Sequence, residues 1–318
     1  MSYFRVPYSR DTSAWGALLI PIIVIKHGVG PTVLLVGGVH GGEYEGPVSL
    51  LKLCRELQPE QVHGRVIILP ALNLPAVQAG KRTSPIDDKD MNRVFPGRWN
   101  GTVTEIIAHY VHEAILPLCD AVVDLHSGGY SLNLLPYMSM HFLEDQEQTE
   151  RTLAALKAFD APVGLIMREF TGEGLLDYAV ERMGKVFLSG EMGGLGTLSP
   201  QALKITEIGV KNVLKHFNII EGEIVTRESQ GLPPARLMEA PDAEHYCIAQ
   251  TNGIYESFFE LGDRVAAGQM IGQVHFVETP GREPEVIVAQ RAGMLIGARG
   301  PGFVERADCV ALVARDVM

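Results

Sequence analysis

Short apolar runs rich in β-branched residues alternate along the first two thirds of the chain with longer stretches in which apolar positions recur every three to four residues. The runs at 32–36, 65–69, 121–125, 164–167 and 186–188 predict buried strands, and the stretches 46–57, 104–116, 148–159, 174–182 and 206–216 predict helices. The runs lack an in/out alternation, so the strands are expected to be covered on both faces, which predicts an α/β sandwich around a mixed, mostly parallel sheet. Periodicity disappears near 221–234, where Glu221-Gly222-Glu223 and Gln230-Gly231-Leu232-Pro233-Pro234 follow one another. Beyond it the apolar runs shorten and are divided by glycines, an all-β texture. The expected organisation is a catalytic α/β domain over 1–225 and a β-rich domain over 226–318.

Two of the predicted strands lead into histidines set among glycines. Val36-Gly37-Gly38-Val39-His40-Gly41-Gly42-Glu43 follows the first, and Asp124-Leu125-His126-Ser127-Gly128-Gly129 follows the third. Ends of strands are where open α/β sheets place ligand sites. A lone histidine there is as a rule a satisfied core or loop residue. The company of these two argues otherwise: flanking glycines permit close backbone approach, and Glu43 stands three positions after His40. His40, Glu43 and His126 supply three ligands for one Zn²⁺ and leave a fourth position for water. Asp124 points the same way as His126 along a strand, so it either supports the metal site or caps nearby amides. A rival pair, His109 and His112, lies one helical turn apart without glycines or a strand end and reads as a partly exposed helix face.

Charge and composition narrow the function. The chain has 318 residues and a net charge of −11, with no basic stretch, which argues against a nucleic-acid or anionic-membrane partner. No apolar leader or span-length run occurs, so a cytoplasmic location is expected. Cys54, Cys119, Cys247 and Cys309 show no paired spacing and are expected to be free thiols rather than disulfides or zinc ligands.

Four segments in this order, Gly38-x-His40-Gly41-x-Glu43, Asp90-Met91-Asn92-Arg93-x-Phe95-Pro96-Gly97, Asp124-x-His126-Ser127-Gly128 and Gly190-Glu191-Met192-Gly193-Gly194, resemble the succinylglutamate desuccinylase and aspartoacylase family, relatives of the zinc carboxypeptidases. The resemblance covers roughly the first two thirds of the chain and implies a zinc-carboxypeptidase-like sandwich that removes a short acyl group from an N-acyl amino acid. It implies Glu191 as general base and acid, a role suited to a carboxyl that follows the apolar run Val186-Phe187-Leu188. It also implies Arg82 as the group that polarises the acyl carbonyl, and Asn92 with Arg93 as the grip on the substrate carboxylate. The plainer alternatives are a glycine-turn cap for Glu191 and solvated surface positions for the arginines. The stretch between Arg82 and Asn92 is longer than in aspartoacylase, which bears on Arg82 more than on Arg93. Gly42 departs from the family's Asp or Asn; it is not a ligand position, so metal binding should survive while a supporting hydrogen bond is lost.

Acetyl-diaminobutyrate, N-acetylaspartate and succinylglutamate stay open as substrates, with Glu43-Tyr44-Glu45-Gly46-Pro47 and Arg82-Thr83-Ser84-Pro85-Ile86-Asp87 nearest the acetyl-diaminobutyrate branch. Tyr130, His141 and Arg168 are further candidates for reading the substrate. The segments 251–272 and 293–313 resemble two halves of a biotinyl or lipoyl barrel-sandwich, yet 273–291 contains no lysine, so covalent biotin or lipoate is not expected. In the family such a β domain flanks the cleft, which favours small amides over long peptides. A carboxypeptidase-like peptidase and a catalytically inactive binding protein of the same fold are the competing readings. Homo-oligomers are compatible with the sequence, which does not specify them.

Overall fold

The structure is a computed structural model that describes residues 2–168 and 172–317. Its central sheet contains β1 (Ser2–Pro7), β2 (Ala17–His27), β3 (Thr32–Gly37), β4 (Gly64–Leu69), β5 (Ala121–His126), β7 (Tyr137–His141), β8 (Val163–Met167), β9 (Val186–Glu191) and β10 (Arg236–Ala240), while β6 (Leu132–Leu134) lies off this path. The order across the sheet is β1-β2-β4-β3-β5-β9-β7-β8-β10. Strands β4, β3, β5 and β9 run parallel, β7 turns antiparallel to β9, and β7, β8 and β10 are again parallel. The β1–β2 hairpin adds an antiparallel edge.

The five predicted strands are all present, and β3 and β5 are buried at every position. Successive side chains point to opposite faces. Val33, Leu35, Val123 and Leu125 therefore join one core with Leu50 and Leu53 of α1 (Glu45–Glu56), Leu156 and Phe159 of α4 (Gln146–Phe159) and Val213 of α6 (Pro200–His216). Leu34, Val36 and Val122 join the other, with Ile107 of α3 (Val103–Tyr110) and Val180 of α5 (Leu176–Glu181). Of the remaining helices, α2 (Leu74–Ala79) is a short one following β4. The predicted helix over 104–116 is not uniform: α3 passes into a π turn at Val111–Ile115 and a 3₁₀ turn at Leu116–Leu118 that contains Pro117, whose ring cannot continue an α-helix.

The chain returns to the central sheet at β10, beyond residue 225, where Arg236–Ala240 pairs in parallel with Val163–Met167. Strand Cys309–Asp316 continues the sheet from β10, and Gly293–Arg299 pairs both with it and with β6, just downstream of His126. A separate antiparallel sheet joins Gly253–Ser257, Met270–His275, Glu285–Val288 and Phe303–Val304. The four cysteines are free. Among the described residues no helix is long and apolar enough to cross a membrane.

Candidate metal centre and pocket

The strand ends bring the chemistry together. His40 and Glu43 lie between β3 and α1, and His126 is the last residue of β5. Glu191, the last residue of β9, is the register partner of His126. The loop bearing His40 is held tightly: Gly41 donates its N–H to the Lys81 carbonyl at 2.8 Å, and a Cβ there would stand 1.9 Å from the Ala76 carbonyl oxygen. Only glycine fits, and the same contact carries the segment containing Arg82 to the site.

His40, Glu43 and His126 are buried, and their ligand atoms lie within 4.8 Å of one another. Nδ1 of His40 is 2.8 Å from Glu43 Oε1, and Nδ1 of His126 is 2.9 Å from Glu43 Oε2. On their far sides, His40 Nε2 meets Asp90 Oδ1 at 3.0 Å and His126 Nε2 meets Asp124 Oδ2 at 2.8 Å. An ionised carboxylate only accepts, so each Nε2 carries a hydrogen. Each Nδ1 then presents either a proton or a bare lone pair to Glu43. A carboxylate facing two lone pairs requires positive charge between them, supplied by two protons or by one divalent cation. Imidazoles fixed by carboxylates on their outer nitrogens are the usual support of metal-binding histidines, so this donor set fits a metal ion.

The electrostatics show the same demand for positive charge. Burial pulls the imidazoles down, but Glu43 and the bond to Asp90 outweigh it at His40, and Asp124 with Glu43 outweigh it at His126; His40 ends raised and His126 well above the ordinary histidine value. Burial pushes Glu43 up, yet His126 and His40 hold it well below the usual carboxylate range. Asp90 is depressed likewise, burial being overcome by His40 and Arg82. Glu191 behaves in the opposite way. Burial, then the negative charge of Glu43, raises its carboxyl to about 7, and its Oε2 has no hydrogen-bond partner among the described residues. A buried carboxylate oxygen left unpaired beside a cleft is a mark of chemistry rather than of stability.

A pocket of about 370 Å³ gathers all seven residues singled out in the sequence: His40, Glu43, Arg82, Asn92, Arg93, His126 and Glu191. A larger groove of about 600 Å³ lies elsewhere, against Leu53, Leu57, Lys211 and Ile220, and contains no part of the trio. Arg82 is 55% exposed, with Nε 3.0 Å from Asp90 Oδ2 and Nη1 3.9 Å from Glu43 Oε1. Asp90 thus ties His40 to Arg82. The residue lies inside one of the motifs, yet nothing in its local pattern signals that function. Asn92 Oδ1 accepts from the Leu176 N–H at 2.8 Å, which leaves its amide N–H groups for other partners. Among the described residues Arg93 donates to the Asn92 carbonyl at 2.6 Å through Nη1 alone. If the free side of that fork grips a carboxylate, Arg93→Ala raises KM about 10- to 100-fold for carboxylate-bearing substrates, the worth of a charge-assisted bond. Assays on the matching amides should show a much smaller change; equal losses would remove the role.

His141 and Arg168 line the same pocket, and His141 Nδ1 lies 3.0 Å from Glu181 Oε1. Tyr130 does not line it. Its ring fills a slot between two glycines, where a Cβ on Gly42 would stand 2.8 Å from Cε2 and one on Gly196 2.2 Å from Cε1. Tyr130 therefore takes the space that a side chain at position 42 would need, a physical account of the glycine there. The ring is 53% exposed and can swing aside, so Gly42→Asn should destabilise the fold by about 1 kcal/mol or less, and adding Tyr130→Ala should recover part of that loss. Denaturant unfolding of the double-mutant cycle reads the coupling; strict additivity would refute the slot. His109 and His112 are half-buried on α3 and its π turn, and His112 has Glu113 at 3.8 Å. The trio is the one candidate metal cluster among the described residues.

A buried His-Glu-His trio at the ends of parallel strands, facing a raised carboxyl across an open pocket, defines the class of α/β proteins built around a single candidate metal centre. Residues 29–217 match the succinylglutamate desuccinylase/aspartoacylase catalytic domain, and the chain belongs to that family. It is 44% identical to the N-alpha-acetyl-L-2,4-diaminobutyric acid deacetylase of Halomonas elongata over 315 residues, 99% of this chain and 91% of that protein. A succinylglutamate desuccinylase/aspartoacylase from Rhodobacter sphaeroides superposes with a TM-score of 0.95 at 42% identity, covering 100% of this chain and 95% of the other. The ectoine utilization protein EutE (DoeB) from Ruegeria pomeroyi, solved with product bound, gives 0.93 at 43% identity, with 98% and 94% covered.

Proposed function

We propose that this protein is a zinc-dependent deacylase that hydrolyses the amide of an N-acyl amino acid, with N-alpha-acetyl-2,4-diaminobutyrate as the first substrate to test. The observation that carries the proposal is the convergence of the trio and Glu191 on one pocket, in a chain 44% identical to a deacetylase across nearly its whole length. His40, Glu43 and His126 would hold one Zn²⁺, which when bound polarises a carbonyl and acidifies water. Glu191 takes a proton from the attacking water and passes it to the leaving amine, a double duty that a carboxyl held near neutrality can perform. Arg82, anchored through Nε by Asp90, offers its remaining N–H groups to the developing oxyanion. Asn92 and Arg93 hold the carboxylate and so fix the amide relative to Glu191.

The test is turnover of a panel of N-acetyl, N-succinyl and peptide substrates with and without a chelator. Release of acetate from N-acetyl amino acids, lost on chelation and restored by zinc, is the expected result. Turnover indifferent to chelator would end the zinc reading. Cleavage confined to peptides would replace the deacylase reading with a peptidase one.

A further inference from the structure

Three carboxylates line the pocket among the described residues: Glu43, Glu191 and Asp177. The first two belong to the trio and to proton transfer. Asp177 belongs to neither, and it is only 8% exposed. A nearly buried carboxylate stays charged only where polar or cationic groups meet it, and in a pocket wall a ligand's cation can be one of them.

Position supplies the answer. Asp177 is the second residue of α5, and the residue before it, Leu176, donates its N–H to Asn92 Oδ1 at 2.8 Å. Asp177 is therefore tethered to the very segment, Asn92-Arg93, that the proposed function assigns to the substrate carboxylate. Asn92, Arg93 and Asp177 line one pocket, so a single small ligand can meet both the segment and Asp177. The neighbouring charge, Glu181, is occupied, with both carboxylate oxygens 3.0 and 3.1 Å from His141 Nδ1. Asp177 has partners of its own, among them the Tyr178 N–H. A carboxylate offers about four acceptor sites, enough to keep such partners and also take an ammonium.

We propose that Asp177 is a specificity-determining residue that binds a free side-chain ammonium on the N-acyl amino acid, so that the pocket selects basic over acidic side chains. An N-acyl diamino acid places its ammonium against Asp177 while Arg93 holds its carboxylate. A dicarboxylic substrate would place a second carboxylate there instead and be repelled. The inference rests on the proposed deacylase reading and names the substrate class of that same site.

The test compares N-alpha-acetyl-2,4-diaminobutyrate with N-alpha-acetyl-2-aminobutyrate, which lacks the amine, on the zinc-loaded wild type and on Asp177→Asn. A charge-assisted hydrogen bond should give the wild type about a 10- to 100-fold preference in kcat/KM for the diamino substrate. Asp177→Asn, close in shape, should erase that preference while leaving turnover of the amine-free substrate within about threefold. Equal efficiencies in the wild type, or a preference that survives Asp177→Asn, would overturn the assignment while leaving deacylation in place. A merely structural Asp177 would lower both substrates together and also overturn it. Calorimetric binding of free 2,4-diaminobutyrate and 2-aminobutyrate to the wild type needs neither the variant nor turnover. Tighter binding of the diamino acid supports the ammonium site even if neither substrate is cleaved, an outcome that would sink the deacylase reading alone; equal binding counts against the site.

Discussion

Glu191→Gln is expected to keep the fold and the bound metal while lowering kcat by about 10²–10⁴-fold, the range that positioned proton transfer contributes. Glutamine matches glutamate in shape and removes only the ability to take and return a proton. Glu191 sits at the C-terminal end of β9, and its Oε2 has no hydrogen-bond partner among the described residues, so glutamine there breaks no bond at that oxygen. The pH dependence has a defined sign. Burial and then Glu43 raise the Glu191 carboxyl to about 7, so the carboxylate that acts as base appears only as pH climbs through that region. Rates should therefore rise along the acid limb, with the midpoint below 7 when a cation occupies the neighbouring trio and opposes Glu43. In Glu191→Gln that limb should vanish from the residual activity. A variant with near-normal rates, or an unchanged limb, would show that Glu191 is not the base.

His126→Ala is expected to abolish both metal binding and turnover and to destabilise the protein by about 3–5 kcal/mol, the usual cost of leaving a buried charge without its partner. His126 stands between Glu43 and Asp124, which are 3% and 1% exposed. Truncation strands Asp124, whose Oδ2 faced His126 and whose Oδ1 has no partner among the described residues, and it leaves Glu43 only His40 and the Ser127 N–H. Arg82 cannot compensate, because its Nη1 is 3.9 Å from Glu43 and the side chain is largely in water, where ion pairs contribute little. Thermal or denaturant unfolding of the metal-free proteins checks the stability difference without interference from ligand linkage. A metal-free variant as stable as the metal-free wild type would show that the trio is not held together as described.

The sequence showed much of the central fold because β3, β4, β5, β8 and β9 are short apolar runs covered on both faces, and such runs differ plainly from helical periodicity. The strands it did not reveal break that rule. β1 and β2 form a half-exposed edge hairpin with Pro21 inside, and β7 reads Tyr-Met-Ser-Met-His, with only its first residue a strong strand former. β10 follows the aperiodic stretch and takes its place through long-range pairings, with β8 on one side and Cys309–Asp316 on the other.

At the site, His40, Glu43 and His126 could be singled out because glycines and strand ends mark them locally. Asp90 could not be assigned a function, since its bonds to His40 and Arg82 span 50 and 8 residues. Asp177 was missed for a similar reason, because an acidic residue in the first turn of a helix is common for its own sake. The glycine at 42 answers to the ring of Tyr130, which stands 2.8 Å from where a Cβ would lie, a contact that no local pattern marks.

Metal content of the purified protein, measured by elemental analysis beside a His40→Ala, Glu43→Ala variant, decides whether the trio is a metal site. About one zinc per wild-type chain is expected, the stoichiometry of a single three-ligand catalytic site, and none in the variant. A wild-type protein that carries no metal and takes up none when zinc is added would contradict it.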